Sequence, residues 1–211
     1  DPSGQSRPWE LDPIPQIIPA KDWETISAGL IQRAELLDLV LKDIYGPQTL
    51  IKKGIIPQEL IYQHPGFLRN CVNIKLPGTQ HLILYAADMA RGSDGRIWII
   101  GDRTQAPSGS GYALENRHAL STVLPEFFNN LHVKRLSPYF DALQKALVAI
   151  APHNADNPRI VILTPGPDNE TYFEHSYLAA YLGHTLVQGN DLIVKDNFVW
   201  LKTIEGLEKI D

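Results

Sequence analysis

The sequence predicts an α/β chain with α+β character, and three observations carry that prediction. A long series of apolar residues at helical spacing comes first, two strand-like runs around an Asp-Gly turn follow, and a strand–helix–strand pattern comes near the end. The chain has 211 residues, 44% hydrophobic and 20% charged, enough for one large domain or two small ones with an ordinary core. A net charge of −5 argues against a general nucleic-acid binder, which would carry a strongly basic surface. The single cysteine, Cys71, excludes an intrachain disulfide and points to a reduced, cytoplasmic setting. No apolar run approaches the roughly 20 residues of a membrane span, and no signal peptide is visible from Asp1 onward.

Residues 1–21 carry prolines at positions 2, 8, 13, 15 and 19 and read as an extended arm, with Trp9, Leu11, Ile14, Ile17 and Ile18 available for packing. Trp23, Ile26, Leu30, Ala34, Leu37, Leu41 and Ile44 then mark a long helix, with Asp22 as its N-cap and Gly46-Pro47 as its stop. Gln32, Arg33 and Glu35 fit a solvated face of that helix. Residues 47–78 read as short helical turns with proline stops. His81–Ala87 and Arg96–Asp102 read as strands joined by Gly92-Ser93-Asp94-Gly95, a hairpin signal. Helices follow at about 112–130 and 137–150. Near Pro158 a further unit begins. Arg159–Thr164 is a buried-type strand, Pro165-Gly166-Pro167 breaks it, Asp168 or Asn169 can cap a helix through Leu182, and His184–Val187 restarts a strand after Gly183. This is a βαβ half-unit with a parallel pair. Asp191–Val194 and Phe198–Lys202 add short strands, and Glu208–Asp211 reads as the start of another, so the end reads as a cut within a domain. The expected organisation is an arm over 1–21, a helix-and-hairpin unit over 22–157 and an α/β segment over 158–211.

The stretch from Gly101 to Arg117 carries the chemistry. A strand, the loop Ser108-Gly109-Ser110-Gly111 and a helix start follow one another, an order that places unpaired N–H groups where anions bind. There is no Gly-Lys-Ser/Thr and no complete Gly-x-Gly-x-x-Gly, so the loop reads either as a phosphate contact or as a connecting turn. Hairpin alternation puts Asp88, Gly101 and Arg103 on one face and Arg91 with Asp102 on the other, where those two would form an ion pair. Glu115 suits the helix dipole as a cap, and Arg117, near Asn116, would reach a phosphate or serve only the fold. The seven histidines show no metal spacing. Asp168 and Asn169 are explained as caps, while Glu174 and His175 read as surface helix residues, with a ligand or base role as the alternative.

The Gly101–Arg117 stretch resembles the signature of the circularly permuted ATP-grasp proteins, relatives of glutathionylspermidine synthase. Gln32-Arg33, Asp43-Ile44-Tyr45, Leu163-Thr164-Pro165-Gly166-Pro167, Tyr172-Phe173-Glu174-His175 with Leu178-Ala179, and Gly189-Asn190-Asp191-Leu192 are similar too. The resemblance spans nearly the whole chain but only the first part of the family's unit. It implies a permuted ATP-grasp half followed by a Rossmann-like pre-ATP-grasp segment, with the half that carries the nucleotide-binding lysine coming later. That later half is the first partner implied, and an alpha-E domain and a transglutaminase-like peptidase are frequent companions.

The resemblance further implies a ligase that activates a small-molecule or peptide carboxylate as an acyl phosphate for attack by an amine, with ATP as cofactor and Mg²⁺ bridging its phosphates. It assigns Ser108, Gly109, Ser110, Gly111, Glu115, Asn116 and Arg103 to nucleotide binding, Arg103, Asp102 and Arg117 to catalysis, and Asp88 with Asp102 to the metal. In the glutathionylspermidine synthase pattern an Asp and a Glu-x-Asn hold the metal. Asp88 matches the Asp, but Gly101 stands in place of the Glu and Arg103 in place of the Asn. Arg103 would then bind phosphate directly, or the site has lost catalysis. Two readings follow: one half of a carboxylate–amine ligase that is inactive alone, or a degenerate nucleotide- or peptide-binding module. No nucleic acid and no membrane is expected as a partner.

Overall fold

The computed structural model describes residues 10–12, 14–152 and 156–211, so Pro2, Pro8, Trp9 and Pro13 of the expected arm lie outside it. The chain is mixed helix and strand with small sheets. It divides into two compact units, Gln16–Pro107 and Ser108–Asp211, the latter together with described residues ahead of Gln16. The division falls at Pro107, inside the stretch 22–157 expected to form one unit, because the helix after Pro107 packs on the later βαβ element.

The first unit opens with α1, Ala20–Ile44. Its N-cap is Pro19 rather than the expected Asp22, which lies inside the first turn. A proline can stand at a helix start because the N–H it lacks would be unpaired there anyway. Two short helices, α2 (Thr49–Lys52) and α3 (Gln58–Tyr62), and a single turn at Arg69–Cys71 follow between the proline stops. Carboxylates of α1 hold these connections. Asp43 accepts the Thr49 and Leu50 N–H groups, both at 2.9 Å, and these bonds, the one from Leu50 foremost, hold its pKa below the usual carboxylate value. Asp38 accepts the His81 and Leu82 N–H groups at 2.7 and 2.9 Å. Residues 81–85, expected as strand, lie outside the hairpin, and the first two of their N–H groups are tied to a helix side chain instead of a strand partner.

The hairpin consists of β1, Ala86–Arg91, and β2, Ile97–Arg103. Gly92 N–H closes its turn on Arg96 carbonyl at 2.8 Å, and Gly95 takes the left-handed φ of +81° that such a turn requires. The outer register pairs Asp88 with Gly101 and Ala86 with Arg103, and a bulge then resets it so that Met89 faces Ile99. No described residue of this unit is fully buried, and Ile31, Leu36, Leu39, Trp98 and Ile100 are more than half exposed.

The second unit begins with α4 (Ser110–Val123), α5 (Pro125–Leu131) and α6 (Ser137–Ala149). The helix expected over 112–130 is split at Leu124, because Pro125 has no N–H for a continuing helix and starts a new one. Strands β3 (Val161–Leu163) and β4 (Thr185–Val187) pair in parallel around α7 (Tyr172–Leu182), as the βαβ pattern predicts. Gly183 ends α7 with φ +73°. Thr171, not Asp168 or Asn169, holds the N-cap position of α7. Asn169 Oδ1 instead accepts the N–H and O–H of Thr171 at 3.0 and 2.5 Å, and so bonds one turn too early to cap the helix. A three-stranded antiparallel meander ends the chain: β5 (Leu192–Lys195), β6 (Phe198–Thr203) and β7 (Gly206–Lys209), the last where the sequence pointed to another strand. Asp196 and Asn197 both have positive φ in its first turn, the requirement of a tight hairpin loop that Asp and Asn tolerate best among residues with a Cβ. Phe140, Leu143, Ala179, Val187 and Leu201 form the buried core.

Candidate functional site

In the first unit the hairpin distributes its charged residues between two faces. Asp88, Gly101 and Arg103 share one face, as the alternation predicts. Arg103 donates from Nε to Asp88 Oδ2 at 3.0 Å, a terminal nitrogen lies 3.0 Å from the same oxygen, and both side chains are at least half exposed. Gly101 adds no side chain, and a Cβ there would meet Asp88 Oδ2 at 3.4 Å. Arg103 keeps unused N–H donors, since a guanidinium has five.

Asp102 occupies the opposite face, toward α1. Arg33 grips it with two parallel bonds of 2.6 and 2.7 Å, and the Tyr85 hydroxyl adds a third of 2.7 Å. Arg33 first, then Tyr85, holds the Asp102 carboxyl below its usual pKa. Burial, then the bond to Asp102, pushes Tyr85 up to about 12. The expected Arg91–Asp102 pair is not formed. Both residues do face α1, but Asp102 lies opposite Ala87 while Arg91 lies opposite Ile97 at the far end, so each pairs with α1 instead: Asp102 with Arg33, and Arg91 with Asp22 at 3.6 Å. Arg33 and Tyr85 are therefore site neighbours that the reading by position missed. Arg33 was assigned to a solvated face because helical charges usually belong there, and only the hairpin docked beside α1 gives it a partner.

In the second unit the Ser/Gly loop has its own occupant. Glu174 is 1% exposed, and its carboxylate accepts Gly109 N–H at 2.8 and 2.7 Å, Gly111 N–H at 2.7 Å and the Ser110 hydroxyl at 3.4 Å. Glu174 itself sits in the first turn of α7, so one carboxylate lies at the N-termini of both α4 and α7, where both dipoles favour negative charge. The expectation of a surface Glu174 is overturned. It takes the backbone donors that the sequence offered to a phosphate, and Gly109, with φ +121°, presents its N–H to it. Gly111 permits the approach: a Cβ would lie 2.9 Å from Glu174 Cγ and 3.3 Å from Leu178 Cγ. The signal in the sequence was a Gly-Ser-Gly helix start, small enough for another element to come close, together with a Glu in a later helix's first turn.

The remaining residues are fixed within this unit. His175, also expected at the surface, bridges Thr164 at 2.9 Å and Thr171 at 3.1 Å, and the Thr164 hydroxyl accepts Gly166 N–H at 3.2 Å, so the ring clamps the loop that leaves β3. Thr164 is 2% exposed. Glu115 lies in the second turn of α4, past the dipole's reach, and bonds the Tyr177 hydroxyl; burial, then that bond, raises the Tyr177 pKa. Arg117 donates to the Lys134 carbonyl at 2.8 Å and lies over the Phe128 ring. Asn116 is its neighbour on α4. Ser108 begins the unit's main segment.

The donor set does not fit a divalent cation. Among the described residues no three His, Cys, Asp or Glu side chains converge, Asp88 is engaged by a cation of the protein, and Asp102 faces the other way. Nor do the loop N–H groups at Gly109 and Gly111 fit a phosphate while Glu174 holds them. No described helix is long and apolar enough to cross a membrane.

Comparison with known proteins gives a consistent result. The family model described as circularly permuted ATP-grasp type 2 matches residues 15–211. An uncharacterized protein of Mycobacterium tuberculosis is 41% identical over 97% of this chain and 23% of its own length. An uncharacterized Synechocystis protein is 36% identical over 100% and 44%, and one from Mycobacterium leprae 38% identical over 99% and 37%. The chain thus spans less than half the length of these curated relatives.

Proposed function

The chain belongs to the circularly permuted ATP-grasp type 2 family, and from that premise we propose that it is the architectural part of an ATP-dependent carboxylate–amine ligase, supplying one anion-binding arginine and no metal ligands. The observation that carries this reading is the exposed Asp88–Arg103 pair beside Gly101. A guanidinium with free donors on an open sheet face suits an anionic oxygen, whereas the same face offers a cation only one carboxylate that is already paired. Nucleotide and metal, if the longer protein takes them, would draw their remaining contacts from sequence beyond this chain, and the alpha-E and transglutaminase-like companions belong to that same proposal.

A second reading, a binding module without catalysis, is favoured by Glu174. A helix start already closed by the protein's own carboxylate needs no ligand to be stable.

Calorimetric titration of the longer protein with ATP, with and without Mg²⁺, tests the role of Arg103, and ATP turnover in the presence of a carboxylate and an amine separates the two readings. The ligase reading expects nucleotide binding that Arg103→Ala weakens by roughly tenfold, the loss of one charge-assisted contact, with an unchanged melting temperature. Unchanged affinity in Arg103→Ala would sink the role of Arg103. ATP turnover by the 211-residue chain alone would sink the claim that it is only the architectural part.

A further inference from the structure

The register of the C-terminal meander gathers lysines around a tryptophan. β5 pairs Lys195 with Phe198 and Ile193 with Trp200, while β7 pairs Lys209 with Trp200 and Leu207 with Lys202. Alternation puts all seven of these side chains on one face of the sheet. Trp200 is the centre: Lys209 stands directly across from it, Lys195 lies on the diagonal, and Lys202 follows two residues on. These are separations of about 5 to 8 Å between Cβ atoms. The other face carries Leu201, which is buried, and Glu208, which pairs with Arg159.

Among the described residues, Asp191 and Asp211 continue the parity of this face just beyond its strands, but their carboxyls are bonded to the Gln188 N–H at 2.7 Å and to the Arg159 N–H at 3.1 Å, while Asp196 and Glu205 lie in the turns. Among the described residues none of the three lysines has a carboxylate partner. Lys209 rests over the Phe198 ring, 3.5 Å from its centroid, and Lys202 donates to the Asn190 carbonyl at 2.8 Å. In a chain of net charge −5, this is a cationic face with an apolar floor, where Ile193 and Leu207 remain 41% and 42% exposed.

We propose that the face formed by Ile193, Lys195, Trp200, Lys202, Leu207 and Lys209 docks an acidic segment of a separate polypeptide. Carboxylates would pair with the three ammonium groups while an apolar side chain covers Trp200 and Ile193. The details favour a peptide over single-stranded nucleic acid. Nucleic-acid platforms stack successive bases on open rings along a strongly basic groove. Here Lys209 already covers the Phe198 ring and the Trp200 indole N–H is spent on the Lys195 carbonyl at 3.0 Å, so the face offers no row of open rings. The docking does not depend on the ligase reading.

The test titrates the full chain with an end-blocked, glutamate-rich peptide carrying a central phenylalanine, followed by calorimetry and by the Trp200 indole N–H resonance, assigned with Trp200→Phe. Saturable binding is expected, weakening with salt and falling by roughly tenfold or more in the Lys195→Gln/Lys202→Gln/Lys209→Gln triple variant. The triple variant Lys21→Gln/Lys53→Gln/Lys75→Gln, with the same loss of charge elsewhere, keeps the wild-type affinity. Lys195→Gln alone, in an exposed strand end, repeats the loss in part if the triple variant is misfolded by circular dichroism. Absence of binding, equal loss in both triple variants, an indole resonance that does not move, or binding of an oligothymidylate at least as tight as that of the peptide would each overturn the proposal.

Discussion

The two units on either side of Pro107 use carboxylates in opposite ways. In Gln16–Pro107 no described residue is buried, and Asp38, Asp43, Asp88 and Asp102 work at or near the surface, tying loops to α1 or pairing with arginines. In Ser108–Asp211 a hydrophobic core surrounds one almost fully buried carboxylate, Glu174, that joins α4 to α7. A buried carboxylate is costly unless every oxygen is bonded, so once placed it is committed to the fold. A surface carboxylate contributes little to stability and stays available to a ligand or a partner. The loop that reads in sequence as a ligand cradle is therefore the more structural of the two, and the hairpin is the more open.

The contrast has consequences that can break it. The largest is expected at Glu174. Glu174→Ala strands two backbone donors in a buried site and should cost about 3 kcal/mol, read as a lower urea midpoint for the second unit. A loss below about 0.5 kcal/mol, the range of ordinary surface changes, would show that the carboxylate is not committed to the fold. Gly111→Ala comes next. The added methyl meets Glu174 Cγ at 2.9 Å and Leu178 Cγ at 3.3 Å, and overpacking of that kind costs about 1–3 kcal/mol; an unchanged midpoint would mean that α7 does not approach α4 so closely.

The smallest effect concerns pH in the first unit. The pKa values of Asp38, Asp43 and Asp102 all lie below the ordinary 3.8 in the folded protein. Such a group binds its proton less readily folded than unfolded, so its contribution is complete above about pH 4 and is lost as pH falls through the folded value. Acid should loosen the hairpin–α1 contact, reported by Trp98 and Trp23 emission. Asp102→Asn should flatten that acid limb and bring Tyr85 down from about 12 toward 10.0, leaving the part due to burial. An acid limb identical in wild type and Asp102→Asn would remove Asp102 from the account.

Much of the fold could be read from local pattern. The 3.6-residue apolar repeat of α1, the Asp94-Gly95 turn, the parallel β3–β4 pair and the Gly183 stop all follow from interactions within a few residues. The hairpin parity that groups Asp88, Gly101 and Arg103 was legible too, because a strand alternates faces whatever surrounds it. The misses are of two kinds. Asp22, Asp168 and Asn169 fit caps by residue type, but α1 starts earlier, with Pro19 at its N-cap position, and Asn169 bonds Thr171 two residues on, both matters of local register. Residues 81–85 fit a strand by composition, but His81 and Leu82 bond Asp38, 43 and 44 residues away. The partner of Arg33 lies 69 residues away and that of Gly109 lies 65 away, and spacing along the chain cannot report on such pairs.

The sequence by itself determined the order of elements, the faces of the hairpin, the family and the departure at Gly101 and Arg103, because each depends on residue identity or on a short-range period. Only the tertiary structure decided who occupies the Ser108–Gly111 helix start. Its N–H groups would donate to any carboxylate or anion of the right geometry, and the occupant is set by which carboxylate the packing of α7 on α4 carries into reach. The same holds for the lysines around Trp200, which are scattered along the chain at 195, 202 and 209 and become one face only through the register of three strands.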